Sequence, residues 1–204
     1  PMGSEKRDDL FRCFGRFLQA AAGRFITAED VGTSVQDMEY VKMETDSVGG
    51  ISMASGGSGD PSPVTAYGTF RGIQACVNKA YRNPSLKGLT IVVEGIGKVG
   101  HYLVKHLYDE GARVFVYDRN QDKVNKIMQD YDGVEFIEGS KIYGFDGDIY
   151  SPCALGATIN DDSIKKFKFK IIAGSANNQL AVEEKHGKMI LEKGIIYAPD
   201  FVIN

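Results

Sequence analysis

Tryptophan is absent from the 204 residues, and cysteine and histidine occur only three times each. Cys13, Cys76 and Cys153 lie far apart and lack the C-x-x-C spacing of metal sites, so we expect neither a disulfide framework nor a metal. Free cysteines favour a reducing, cytoplasmic compartment. A net charge of −3 gives no electrostatic footprint for nucleic acid. No apolar run approaches the ~18 residues of a membrane span, and no signal peptide is visible.

A glycine-rich segment between two apolar runs is the most informative pattern that is present. The run 91–93 leads into Gly95, Gly97 and Gly100, spaced G-x-G-x-x-G, and residues 101–110 have helical apolar spacing. In such a segment the first glycine permits a tight turn, the second permits close approach of a pyrophosphate, and the third lets the helix pack on the strand. The free N–H groups at the helix N-terminus favour phosphate. The segment therefore predicts a dinucleotide site.

The second apolar run, 114–117, ends in Asp118. This acid lies at about the expected offset of ~20 residues, where a carboxylate can accept hydrogen bonds from the adenosine ribose hydroxyls. Its negative charge would repel a 2′-phosphate, so the sequence predicts NAD rather than NADP as the cofactor. The alternative is a glycine-rich turn that only joins a strand to a helix.

Strand-like and helix-like segments alternate from residue 89 onward. Such alternation predicts right-handed βαβ units, and therefore an α/β fold with a doubly wound parallel sheet of the Rossmann type. Ligands of such sheets bind at the carboxyl ends of the strands. The predicted strands are 89–94, 113–117, 134–137, 148–150, 170–173 and 195–198, and the predicted helices are 98–110, 121–131, 160–167 and 181–193.

The N-terminal quarter has a different pattern. We expect an amphipathic helix over 5–22, a short strand over 25–27, a polar turn, and a second helix capped by Thr33 or Ser34. A loop rich in glycine and serine then precedes a helix over 63–81, and we place a domain boundary near residue 50. The apolar face of the first helix should hold Leu10, Phe11, Phe14, Phe17, Leu18 and Ala21.

The two ends suggest a piece of a longer protein. Residues 1–4 are typical of a cloning remnant, and the chain stops directly after an apolar segment with no closing helix. We therefore expect three parts: the remnant at 1–4, the end of a preceding α/β catalytic domain at 5–49, and a truncated dinucleotide-binding domain at 50–204.

Small residues follow the fourth and fifth predicted strands. Cys153 and Ala154 follow the fourth, and Ser175, Ala176 and Asn177 follow the fifth. Small side chains there would let a flat nicotinamide ring lie against the backbone, and an asparagine could hydrogen-bond its carboxamide. The alternative is an ordinary strand-to-helix turn, which also favours asparagine.

A few isolated residues are candidates for functional or structural roles. Asp30 lies in a tight turn with a glycine and two hydroxyl residues after it, although a solvated turn acid is the simpler explanation. His101 follows the last glycine and could flank the pyrophosphate, whereas His106 and His186 are expected at the surface. Cys13 and Cys76 fall in apolar helical patterns and are interpreted as small core residues.

Five motifs together resemble the glutamate/leucine/phenylalanine/valine dehydrogenase family, and within it the leucine dehydrogenases. The resemblance runs from about Asp8 to Asn204, with the motifs in the family's order. They occupy residues 23–34, 61–68, 152–156, 172–179 and 197–204.

The resemblance implies NAD-dependent oxidative deamination of an apolar L-amino acid to a 2-oxo acid and ammonia. It makes Asp30 the catalytic carboxylate, and it assigns Asp118 and Arg119 to the adenosine ribose, Ala154 with Cys153 to the adenosine side, and Asn177 to the nicotinamide ribose or substrate. It places Thr65 near the nicotinamide, with Ser175 and Ala176 beside Asn177. The pyrophosphate residues it implies are Gly95, Ile96, Gly97, Lys98, Val99, Gly100 and His101.

The resemblance is incomplete. A glycine-rich segment with two essential lysines, which precedes this stretch in the family, is not found in these 204 residues, so we expect little turnover from this chain alone. Leucine is the expected substrate, with phenylalanine, valine or another aromatic amino acid as alternatives. The complete protein is expected to form a homo-oligomer. A non-catalytic dinucleotide-binding module is the rival from another class.

Overall fold

The computed structural model describes residues 4–203, which form two compact units divided between Pro61 and Ser62. Residues 1–3 of the expected cloning remnant lie outside the described range, and Ser4 is the first residue of a helix. The division falls later than residue 50 because the segment that follows it packs into the first unit. Ile51 is 7% exposed in that unit's core, and the Ser52 N–H donates to Glu39 Oε1 at 2.7 Å.

The first unit is built on α1 (Ser4–Ala20) and α2 (Val35–Lys42), with a 3₁₀ turn at Met53–Ser55. Ser34 caps α2 through a capping box with Asp37, as a hydroxyl residue at that position favours. The predicted strand at 25–27 is wrong, since Thr27 makes only an isolated bridge to Val48. The buried residues of this unit's core are Leu18, Met38, Val41, Val48 and Ile51.

The apolar stripe of α1 is narrower than its sequence suggests. Leu18 is buried and Phe11 and Phe14 pack partly against the core, whereas Phe17 is 72% exposed. Cys13 is also exposed, so its interpretation as a core residue is wrong. Helix α2 packs against only part of the stripe, which explains both errors.

The second unit contains a six-stranded sheet in which every paired strand is parallel, in the order β3-β2-β1-β4-β5-β6. This is the doubly wound α/β fold that the strand–helix alternation predicts, and the order reverses direction between β1 and β4. Its elements are α3 (Ser62–Tyr81), β1 (Thr90–Glu94), α4 (Lys98–Asp109), β2 (Arg113–Tyr117), α5 (Gln121–Asp130), β3 (Glu135–Phe136), β4 (Ile149–Pro152), α6 (Asp161–Lys166), β5 (Ile171–Ala173), α7 (Glu183–Glu192), β6 (Ile196–Ala198) and α8 (Asp200–Ile203).

Both faces of the sheet are covered, which explains why β1 reads as a continuous apolar run. Ile91 and Val93 pack into one apolar layer with α3 and α4. Val92 faces the opposite layer, where Tyr150 and Ile172 are fully buried. Among the described residues, no helix is long and apolar enough to cross a bilayer.

Three features of this unit differ from the sequence-based expectations. A 3₁₀ helix occupies Gly139–Gly144, and the chain ends in the short helix α8 where no closing helix was expected. His186 is 2% exposed rather than superficial, and its Nδ1 accepts the N–H of Val182, the residue before α7, at 2.9 Å.

We predict a pH dependence from Tyr81, whose hydroxyl donates to Asp148 Oδ1 at 2.8 Å. Burial, with this hydrogen bond, raises the pKa of Tyr81 to about 12, against about 10 in an unfolded chain. The folded state therefore holds the proton more tightly. The stabilisation is complete below about pH 10 and is lost as the pH rises through about 12.

Chemical denaturation of the wild type and Tyr81→Phe between pH 7 and 12 measures this effect. The variant should be less stable by about 1 kcal/mol at pH 7, and the difference should shrink at high pH. Tyr102→Phe, at a more exposed tyrosine, controls for the loss of a hydroxyl. A difference that stays constant with pH would contradict the prediction.

Candidate functional site

The turn between β1 and α4 is held by backbone contacts too close for any side chain. Gly95 has φ +102°, and a Cβ there would lie 2.6 Å from the Ala154 nitrogen. A Cβ on Gly100 would lie 2.0 Å from the Gly95 carbonyl oxygen. Glycine is therefore required at both positions, as the G-x-G-x-x-G pattern predicts.

The N-terminus of α4 has the features of an anion-binding site. Gly97 is the N-cap and makes no side-chain capping bond. A Cβ on Gly97 would meet no heavy atom within 4 Å, so the space beside it is open. Lys98 is exposed, Val99 and His101 are half-buried, and Ile96 is buried. An uncapped helix N-terminus beside open space fits a phosphate group.

Asp118 joins the end of β2 to the glycine-rich turn. Its Oδ2 accepts the Ile96 N–H at 2.8 Å, and its Oδ1 accepts the Asn120 N–H at 2.8 Å. Each carboxylate oxygen can accept a second hydrogen bond, so the pair remains able to receive ribose hydroxyls. Arg119 is exposed beside it. The carboxylate is thus oriented by the backbone before any ligand arrives.

The loops after β4 and β5 are joined by main-chain hydrogen bonds. The Ala157 N–H donates to the Asn178 carbonyl at 2.8 Å, and the Ala176 N–H donates to the Pro152 carbonyl at 2.9 Å. A Cβ on Gly174 would lie 2.2 Å from the Pro152 oxygen. These contacts bring the loop that carries Cys153 and Ala154 against the loop that carries Ser175, Ala176 and Asn177.

The side chains on these two loops differ in exposure. Ala154 and Asn177 are exposed, and Ser175 is half-buried, so all three can meet a ligand. Ala176 is 5% exposed and contributes mainly to packing. The Cys153 sulfur lies 3.6 Å from Ser151 Oγ, and burial raises the pKa of its thiol, which keeps it an unreactive neutral group at neutral pH.

Glu94 is a functional candidate that sequence reasoning missed. It is the last residue of β1, is 9% exposed, and accepts a hydrogen bond from the Tyr150 hydroxyl, which also lies 3.1 Å from Thr158 Oγ1. Burial raises the pKa of Glu94. Burial, together with the neighbouring Glu94 carboxyl group, also raises the pKa of Tyr143 to about 12. The sequence contained one signal for Glu94, which is a charged residue directly after the apolar run 91–93.

Thr65 and the histidines have simple local environments. Thr65 lies in the first turn of α3, is half-buried, and its carbonyl accepts the Thr69 hydroxyl at 2.9 Å. The His101 ring lies edge-on to Tyr102 at 5.5 Å between centroids. His106 is half-buried and stacks on Phe70 at 5.3 Å, rather than lying free at the surface. Among residues 4–203, no group of three or more potential ligand side chains is placed to hold a metal ion.

Asp30 belongs to the first unit, in a turn closed by its own neighbours. Its Oδ1 accepts the Val31 N–H at 2.7 Å, and its backbone N–H donates to Thr33 Oγ1 at 2.8 Å. Arg7 anchors the turn by donating to the Gly32 carbonyl at 2.7 Å and by pairing with Asp37 at 2.8 Å. Asp30 itself is exposed, so its carboxylate is oriented by the turn and open to solvent.

The family of the chain follows from comparison with known proteins. The model of the glutamate/leucine/phenylalanine/valine dehydrogenase family matches residues 56–121 and 115–204. The chain therefore belongs to this family of proteins with a doubly wound sheet.

Individual relatives include several leucine dehydrogenases. The chain is 54% identical over 200 residues to the leucine dehydrogenase of Bacillus subtilis, covering 98% of this chain and 54% of that protein. It is 42% identical to an L-tryptophan dehydrogenase of Nostoc punctiforme, covering 98% of this chain and 55% of that protein. The chain thus spans about half the length of the curated relatives it matches.

Solved structures agree with the fold. The crystal structure of L-tryptophan dehydrogenase from Nostoc punctiforme superposes with a TM-score of 0.77 at 38% identity, covering 96% of this chain and 55% of that one. A hetero-hexameric glutamate dehydrogenase from Thermus thermophilus has the same TM-score, 0.77, at 19% identity, covering 98% of this chain and 53% of that one, which supports the fold alone.

We predict that alanine destabilises the fold at one glycine of the motif and is tolerated at another. Gly100→Ala should lower the free energy of unfolding by about 1–3 kcal/mol, because its methyl group collides with the Gly95 carbonyl. Gly97→Ala is the matched control and should change it by less than about 0.5 kcal/mol, since its methyl group meets open space. Thermal unfolding of both variants tests this, and equal melting temperatures would contradict it.

Proposed function

We propose that this chain supplies the NAD-binding domain and the catalytic aspartate of an amino acid dehydrogenase that oxidatively deaminates leucine. The observation that carries the proposal is the glycine-rich turn beside an uncapped helix N-terminus, with the Asp118 carboxylate bonded to the Ile96 N–H of that turn at 2.8 Å. Family membership supports it. The homo-oligomeric state expected of the complete protein belongs to the same proposal.

The geometry supports a cofactor position along the carboxyl ends of the strands. Residues 95–101 would hold the pyrophosphate by backbone N–H groups, and Asp118 would accept the adenosine ribose hydroxyls. Arg119, Cys153 and Ala154 would border the adenosine side. Thr65 and the loop formed by Ser175, Ala176 and Asn177 would contact the nicotinamide end. When bound, NAD supplies the hydride acceptor for the substrate Cα–H.

Asp30 would act as the proton carrier. Oxidation of the amine at Cα gives an iminium that water attacks, and the amine and this water must exchange protons as ammonia leaves. A carboxylate within hydrogen-bond reach of the reacting nitrogen can move these protons. The turn from Asp30 to Thr33 orients that carboxylate through the Val31 N–H, so its position does not depend on the ligand.

The choice of leucine rests on the relatives. Leucine dehydrogenases are 49–54% identical to this chain over 200 aligned residues. A second candidate is the same reaction on an aromatic amino acid, since a tryptophan dehydrogenase and a phenylalanine dehydrogenase are 42% and 41% identical to this chain over the aligned residues. A substrate panel on the full-length protein separates them, and a larger kcat/KM for phenylalanine or tryptophan than for leucine would overturn the choice.

The cofactor assignment predicts tighter binding of NAD than of NADP. Calorimetric titration of this chain should give a preference of about tenfold or more, because the Asp118 charge faces the added phosphate. Asp118→Asn should reduce that preference, because it removes the charge and keeps one acceptor oxygen. Gly97→Ala should weaken both cofactors without unfolding the chain. Absence of NAD binding to the wild type would overturn the assignment.

The catalytic assignment predicts a selective loss in Asp30 variants of the full-length protein. Asp30→Asn should lower kcat by about 10²–10⁴-fold, because the amide cannot carry the proton. NAD affinity should not change. Asp46→Ala, which removes an exposed acid of the same unit paired with Lys42, is the control and should retain activity. Unchanged turnover in Asp30→Asn would overturn the assignment of Asp30 as the catalytic carboxylate.

A further inference from the structure

The loop that carries Asn177 is held in an uncommon backbone conformation by a residue from the end of the chain. Asn178 has φ +51°, in the left-handed region that non-glycine residues rarely adopt. Its backbone N–H donates to Asp200 Oδ2 at 3.0 Å. Asp200 is the first residue of α8, which is 22 residues further along the chain. The carboxylate therefore stabilises the shape of the loop directly beside Asn177.

The other end of α8 lies against α3. Ile203 is 8% exposed and packs so closely that a Cβ on Gly72 would lie 2.5 Å from its Cγ2. A Cβ on Gly68 would lie 3.0 Å from the Ile203 carbonyl oxygen. Gly68 and Gly72 lie three and seven positions after Thr65, so Thr65 shares the face of α3 against which α8 packs.

We propose that α8 is a bracket that positions the nicotinamide end of the cofactor site. Its first residue, Asp200, holds the loop of Asn177, and its last described residue, Ile203, holds the helix of Thr65. Asp200 and Ile203 are thus positioning residues that act through Asn177 and Thr65. The inference rests on the proposed function, which places these two residues beside the nicotinamide.

The bracket and the adenosine end depend on different contacts. Asp118 and the glycine-rich turn are held by bonds among themselves, including Ile96 N–H to Asp118 at 2.8 Å, and α8 takes no part in them. Loss of Asp200 should therefore disturb binding of the nicotinamide half while leaving the ADP-ribose half unaffected. A general loss of folding would weaken both halves together, so the ratio of the two affinities separates positioning from stability.

The test compares NADH with ADP-ribose, which lacks the nicotinamide, by calorimetry on the wild type and three variants. Asp200→Ala should weaken NADH binding about fivefold, the equivalent of one hydrogen bond, and leave ADP-ribose within about twofold. Asp200→Asn should restore NADH binding, because its amide oxygen can still accept the Asn178 N–H. Asp162→Ala is the matched control and should leave the binding of both ligands unchanged. Asp162 is an acid in the first turn of another short helix, α6, and its Oδ1 lies 3.8 Å from Lys165 Nζ.

Gly72→Ala tests the other end of the bracket independently, since its methyl group displaces Ile203. It should weaken NADH more than ADP-ribose. Equal losses of both ligands in Asp200→Ala and Gly72→Ala, or no loss in either, would overturn the bracket while the cofactor site stands. Failure of the wild type to bind either ligand would overturn the proposed cofactor site and the bracket with it.

Discussion

The structure of the second unit depends on backbone-to-backbone packing at the carboxyl ends of three strands. The turn after β1 touches the loop after β4 at Gly95, and the last residue of β4, Pro152, touches the loop after β5 at Gly174, each at a distance that excludes a Cβ. Because no side chain separates them, the backbones of these segments pack directly on one another. This contact converts three separate strand ends into one continuous surface.

Much of this surface was predictable because its signals are local. The glycines at 95, 97 and 100 have a spacing with one physical meaning, and the apolar run of β1 needs both faces covered. All six strands of the second unit, and its helices as far as α7, were predicted to within a few residues. The sequence also indicated that Asp118 follows β2, although its two backbone hydrogen bonds required the folded chain.

The errors share a different cause, which is dependence on partners distant in sequence. Cys13 has the periodicity of a core residue, but α2 covers only part of α1. Residues 25–27 lack a neighbouring strand that would make them part of a sheet, since Thr27 makes only an isolated bridge to Val48. The role of Asp200 depends on Asn178, 22 residues earlier, and no local pattern connects them.

The joining of the β4 and β5 loops by main-chain groups has a consequence for divergence. The bonds from the Ala157 N–H to the Asn178 carbonyl and from the Ala176 N–H to the Pro152 carbonyl join backbone atoms. Every residue type provides such a carbonyl, and every type except proline provides such an N–H. Exposed side chains on the same loops, such as Ala154, Leu155 and Asn177, can therefore be exchanged without rebuilding the scaffold. Point mutations at these exposed positions can therefore change which ligand is preferred, while the backbone conformation of the two loops stays the same.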